Sequence, residues 1–91
     1  MSAFVHIFVE SAQMDEVVSA LQRIPNIEQL FHVTGEFDLV TLVSTESVEQ
    51  FREVLKNRIM KIQGVRSTVS SVVLHRHTLV ESPELSALVT A

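Results

Sequence analysis

The segment Val33-Thr34-Gly35-Glu36-Phe37-Asp38-Leu39-Val40 decides how this chain folds. Two apolar-rich runs meet at one glycine, with two carboxylates beside it and an aromatic between them. The chain has only two glycines, so one placed here marks a backbone demand. Glycine reaches positive φ and leaves room for close backbone approach. The stretch reads as a tight hairpin, with Gly35 to Phe37 turning the chain between two strands.

Upstream, Ile27 to Thr34 is the strand that enters the hairpin. Strict alternation puts Ile27, Phe31 and Val33 on one face and Leu30 and His32 on the other. Before it, Met14, Val17, Val18 and Leu21 follow i, i+3, i+4, i+7 spacing, which predicts a helix over Met14 to Ile24. Asp15 and Glu16 lie in its first turn, where the helix dipole favours negative charge, and Pro25 cannot continue it. Ala3 to Glu10 alternates as a first strand, with Val5, Ile7 and Val9 pointing one way and Phe4, His6 and Phe8 the other.

Downstream, Asp38 to Thr45 is a third strand, apolar on both faces as central strands are. Ser47 to about Ile62 is a second helix, with Val48, Phe51, Leu55, Ile59 and Ile62 as its buried stripe. Ser47 and Gln50 have capping-box spacing, and Thr45 competes for the cap. Gly64 ends the helix or its following turn. Val65 to His77 reads as a fourth strand, with Val69 and Val73 opposite Val72 and Leu74, long enough to need a bend or bulge.

The order βαββαβ specifies an α+β, ferredoxin-like domain over residues 1–77. It predicts a four-stranded antiparallel sheet, central first and third strands, and both helices on one face. The other face is then uncovered, with Phe4, Phe8, Leu30, Leu42, Val72 and Leu74 assigned to it. Leaving such a patch in water costs about 25 cal/mol per Å², so a sheet-to-sheet dimer is expected. Residues 78–91 form a C-terminal extension in which Pro83 interrupts a weak apolar pattern. It is expected to add an edge strand or reach across to a neighbouring subunit.

Composition narrows the function classes. Ninety-one residues make one small domain, and 46% of them are hydrophobic, which is much apolar material for a monomer of this size. Seven basic and eleven acidic residues give a net charge of −4, and no basic stripe appears. That argues against direct nucleic-acid binding. Too few residues precede the first strand to hold a helix-turn-helix. The absence of cysteine excludes disulfides, thiolate metal sites and a cysteine nucleophile, and fits a cytoplasmic protein. No signal peptide or membrane span is expected.

The chemistry-bearing side chains are few. His75 and His77 would project from one strand face, but no third ligand is marked by spacing, so no metal site is expected. His6 and His32 read as hydrogen-bonded histidines on the open sheet face. Glu36 and Asp38 are paired carboxylates on a turn, without the cleft that acid–base chemistry needs. Ser67, Thr68, Ser70 and Ser71 suit either an exposed strand or a polar ligand. No nucleophile elbow, phosphate loop or zincin sequence occurs. Neither catalysis nor a cofactor is expected.

Three strings together resemble a known family: Val33-Thr34-Gly35-Glu36-Phe37-Asp38, Ile62-Gln63-Gly64-Val65, and Thr68-Val69-Ser70-Ser71-Val72-Val73-Leu74. They are similar to the effector-binding (RAM) domain of the leucine- and asparagine-responsive (Lrp/AsnC) transcriptional regulators, over about Phe4 to His77. The chain resembles a stand-alone version of that module. The resemblance implies face-to-face dimers that associate further, with an octamer expected, and a small effector, usually an amino acid, bound between dimers beside the hairpin. On this sequence it implies amides near Gly35 and Glu36 meeting the ligand carboxylate and Asp38 its ammonium, with Phe37 also at the site and Thr68 and Ser70 completing the pocket. It also implies co-assembly with full-length Lrp/AsnC regulators. Two other readings share the layout: a small dimeric α/β-barrel enzyme such as a monooxygenase or isomerase, needing an interior pocket and a base such as His6 or His32, and a purely structural oligomerisation module.

Overall fold

The computed structural model describes residues 1–80. Four strands and two helical segments follow in the order expected. They are β1 (Ser2–Val9), α1 (Met14–Leu21, entered through a 3₁₀ turn at Ser11–Gln13), β2 (Ile27–His32), β3 (Leu39–Ser44), α2 (Val48–Val54) and β4 (Val65–Val72). The sheet order is β2-β3-β1-β4, and every pairing is antiparallel. β1 and β3 are therefore the central strands, as their two-sided apolar character requires.

One face of the sheet carries the core. Val5 and Ile7 of β1, Thr41 and Val43 of β3, Val17 and Leu21 of α1, and Ile59 beyond α2 are all fully buried. These apolar residues form a single cluster with Phe51 and Val54, so both helices lie on that side. Thr41 is the polar member of this interior, and its Oγ1 donates to the Val5 carbonyl at 3.3 Å. The bond satisfies a hydroxyl that would otherwise be costly to bury.

Both helices obey their sequence signals with local departures. Ser47 caps α2, its Oγ accepting from the Gln50 amide at 3.1 Å. Gln50 Oε1 reaches back one residue further than a capping box requires and accepts from the Glu46 amide. Thr45 does not compete for the cap and instead donates to the Ser47 carbonyl at 2.8 Å. Val48, expected in the buried stripe, is 54% exposed, and Val54 takes an inner position. After Val54 the helix widens into a π turn over Leu55–Ile59, with the Met60 amide donating to the Leu55 carbonyl. The extra residue rotates the last turn, so Ile59 rather than Arg58 enters the core.

Two β-bulges correct the face assignments. In β2, Ile27 pairs with Val43 and Gln29 with Leu42, leaving Glu28 as an extra residue. Ile27 and Leu30 therefore share the helix side, where both pack against the core, and Phe31 turns to the open face at 47% exposed. His32, paired with the buried Leu39, also lies on the helix side rather than with His6. In β4, Phe8 pairs with Ser67 and Val9 with Val65, so Arg66 is the bulged residue. Beyond it, Val72 pairs with Ala3 on the helix side, and Val69 pairs with His6 on the open face. The strand ends at Val72 rather than His77, and Leu74 lies past it. The open face is thus lined by Phe4, Phe8, Phe31, Val40, Leu42 and Val69. Most of the expected C-terminal extension falls outside the described residues.

Gly64 joins the two helix–strand corners. Its carbonyl accepts from the Glu10 amide at 2.8 Å, its φ is +106°, and an added Cβ would lie 2.7–2.9 Å from atoms of Gln13 and Val17. Gly35 has a similar φ of +111° but open space around it. Alanine at Gly35 should cost about 1–3 kcal/mol for backbone strain. Alanine at Gly64 should cost roughly 1–3 kcal/mol more for overpacking. Denaturant unfolding of the two variants checks the order, and equal losses would contradict the packing at Gly64.

Candidate functional site

The hairpin between β2 and β3 is built by hydrogen bonds that converge on Asp38. The Val33 amide donates to the Asp38 carbonyl at 3.0 Å and closes the turn. The Asp38 amide donates to the Ile7 carbonyl at 3.1 Å. The Asp38 carboxylate then takes the next rung, with Oδ2 accepting from the Val9 amide at 2.8 Å. A side chain thus stands in for a main-chain acceptor and fastens the hairpin to β1. One carboxylate oxygen is committed to this bond, and Oδ1 makes no hydrogen bond among the described residues.

Between these anchors the turn is open. The amides of Gly35, Glu36 and Phe37 make no hydrogen bond among the described residues, and Gly35 and Glu36 are exposed. Consecutive free amides on a turn form a concave set of donors for an anion. The Phe37 side chain folds back over the open sheet face, its ring centroid 4.8 Å from His6 and 4.7 Å from Phe8, tilted 47° to each. His6 is fixed from the other side, with Nδ1 3.3 Å from the Val69 carbonyl.

Gly35, Glu36, Phe37 and Asp38 therefore form one continuous unit. Thr68 and Ser70 stand apart from it within the chain. They pair with Ile7 and Val5 across the far edge of β1 and point to the helix side, whereas Phe37 lies on the open face. Arg66 and Glu10, not singled out by sequence, sit at the same sheet end and form an ion pair, Nε to Oε1 at 3.2 Å. The signal that could have found Arg66 is a cation at the start of a fourth strand long enough to need a bend or bulge.

His6 and His32 fall on opposite faces of the sheet. His75 and His77 stand edge to face with centroids 4.6 Å apart, and no group of three potential metal ligands occurs among the described residues. No helix among the described residues is long and apolar enough to cross a membrane.

A sequence profile described as the Lrp/AsnC ligand binding domain matches residues 2–84. The HTH-type transcriptional regulator FL11 of Pyrococcus horikoshii is 32% identical over 77 residues, covering 85% of this chain and 50% of that protein. The chain spans about half the length of the curated relatives it matches. Among solved structures, TTHA0845 from Thermus thermophilus superposes with a TM-score of 0.82 at 27% identity, covering 86% of this chain and 98% of that one. The transcriptional regulator NMB0573 of Neisseria meningitidis, solved as an L-Met complex, shares the fold with a TM-score of 0.81 at 20% identity, covering 96% of this chain and 58% of that one. The chain belongs to the Lrp/AsnC family and matches its ligand-binding domain.

The geometry at Asp38 separates a structural from a charge role. Asp38→Ala leaves the Val9 amide without its acceptor and should cost about 1–3 kcal/mol. Asp38→Asn keeps an acceptor and should cost less than half as much. Chemical denaturation checks the pair, and equal stabilities for all three proteins would refute the anchoring role.

Proposed function

We propose that this chain is a non-enzymatic, amino-acid-responsive regulatory module of the Lrp/AsnC type that acts in the cytoplasm through assembly. The observation that carries the reading is the run of free amides at Gly35, Glu36 and Phe37 beside a carboxylate with one uncommitted oxygen. An amino acid offers the complementary pair, a carboxylate for the amides and an ammonium for Asp38. Both contacts are charge-assisted, the stronger class of hydrogen bond. The L-Met complex of the Neisseria meningitidis regulator, which has the same fold, supports the choice of ligand class.

The open sheet face supplies the assembly. Phe4, Phe31 and Val69 are 39%, 47% and 48% exposed, and they flank Leu42 and Val40 in one apolar surface, with Phe8 beyond it past the last β1–β3 pair. A second copy of the chain presents the same surface and covers it by two-fold pairing. Dimers then associate towards an octamer, and the hairpins meet at the seams, where Thr68 and Ser70 of a neighbouring subunit complete each site. This arrangement gives the two hydroxyls a place that one chain alone does not. A ligand held at such a seam binds one assembly better than another, and so shifts the equilibrium between them. Co-assembly with full-length Lrp/AsnC regulators would pass the effector signal to a DNA-binding partner, with no nucleic-acid contact by this chain.

Isothermal calorimetry with the natural amino acids, run beside mass measurement in solution, tests the reading. At least one amino acid should bind and shift the oligomer distribution; no binding and an unchanged mass would overturn it. Phe4→Glu should place a charge in the middle of the open face and reduce the protein to monomers in sedimentation, with the helical signal unchanged. An unaltered oligomer would remove the sheet face from the assembly.

A further inference from the structure

The hairpin explains how an amino acid's head group is held, but not what reads its side chain. The surface beside it offers a candidate. A depression of about 440 Å³ at the end of the open face is lined by Phe8, Arg66 and Ser67. Phe8 links it to the hairpin, because the same ring touches Phe37. Val9, the residue after Phe8, donates its amide to Asp38. The depression and the turn thus lie at the same end of the sheet, on either side of the Phe8–Phe37 ring contact.

Arg66 is presented to this depression by the β4 bulge. Phe8 pairs with Ser67 and Val9 with Val65, so Arg66 has no partner of its own across the strand. Bulges re-aim a side chain in this way and are enriched beside functional sites. Glu10 then holds the guanidinium by Nε, at 3.2 Å from Oε1. The two terminal nitrogens make no hydrogen bond among the described residues. A guanidinium tethered at Nε keeps its terminal fork free, and that fork matches the two oxygens of a carboxylate. The Ser67 hydroxyl adds a further donor on the same wall.

We propose that Arg66 determines effector specificity, and that the preferred effector is an amino acid carrying a side-chain carboxylate. The inference rests on the reading of the hairpin as an amino-acid site. The head group lies on the turn amides and Asp38, the side-chain methylenes lie along Phe8, and the distal carboxylate meets the Arg66 fork. Glu10 keeps the guanidinium in place and offsets part of its charge. The fork therefore favours a ligand that uses both oxygens over one that is merely anionic.

Calorimetric titration of the full chain with L-glutamate, L-aspartate, L-glutamine and L-leucine tests this. Wild-type protein should bind one of the two acidic amino acids at least tenfold more tightly than leucine, with glutamine between them. Arg66→Gln should remove that preference and leave leucine affinity within about twofold. Arg66→Lys, which keeps the charge but not the fork, should recover only part of the preference. Arg66 is 65% exposed at its side chain, so the variants should keep the wild-type melting temperature, which is measured alongside. If the wild type binds leucine as well as both acidic amino acids, or Arg66→Gln leaves the preference intact, the specificity role is overturned while the effector reading stands. If no amino acid binds wild type, the effector reading falls and takes this inference with it.

Discussion

The bond from the Val9 amide to the Asp38 carboxylate joins the β2–β3 hairpin to β1, a central strand of the sheet. β1 is paired on both edges, to β3 through Ser2–Ile7 and to β4 through Ala3–Val9. On the β3 side the ladder stops at Ile7 and Leu39, and the last amide of β1 would be left without an acceptor. Asp38 supplies it. With its main-chain amide on the Ile7 carbonyl as well, Asp38 locks the hairpin onto the strand at two points. The turn amides then project from a fixed base, and Phe37 is laid across Phe8 and His6. An open turn held this way is pre-organised, so less ordering entropy opposes ligand binding.

The second constraint is that the helices cover only one side of the sheet. The core cluster takes the inner residues of β1 and β3 and the apolar stripes of the two helices. The outer residues of the same strands are also apolar, and Phe37 joins them from the hairpin. The turn thus touches the outer face through Phe37, whose ring packs on Phe8 and His6. In the proposed reading the effector site at the turn and the assembly surface on the sheet would therefore be neighbours. The buried polar side chains among the described residues are Thr41 and Thr45, both bonded to main-chain carbonyls.

Element order, strand pairing and the apolar stripe of the first helix were legible in the sequence because each rests on a period of several residues. Val5, Ile7 and Val9 turn inward as alternation requires. The misplacements in the strands come from single inserted residues that periodicity cannot register. Glu28 in β2 moves Leu30 inward and Phe31 outward, and Arg66 in β4 exchanges Val72 for Val69 on the open face. In the second helix the misplaced residues are Val48, which is exposed, and Val54, which is buried; Ile59 is buried as its stripe requires. At the site, Gly35 announced the turn. The double use of Asp38 was hidden, because a carboxylate beside a glycine has the same letters whether it faces a ligand or an amide of another strand.

The account depends most on the turn amides being the place where an effector docks. Two-dimensional NMR of the labelled protein, with the tightest-binding amino acid added, reads those amides individually. The account predicts that the Gly35, Glu36 and Phe37 amide resonances shift and their hydrogen exchange slows on titration. The Val9 amide, already bonded to Asp38, should be protected before and after. Unchanged resonances at all three turn positions, with the shifts confined to another surface such as the outer face of α1, would contradict it.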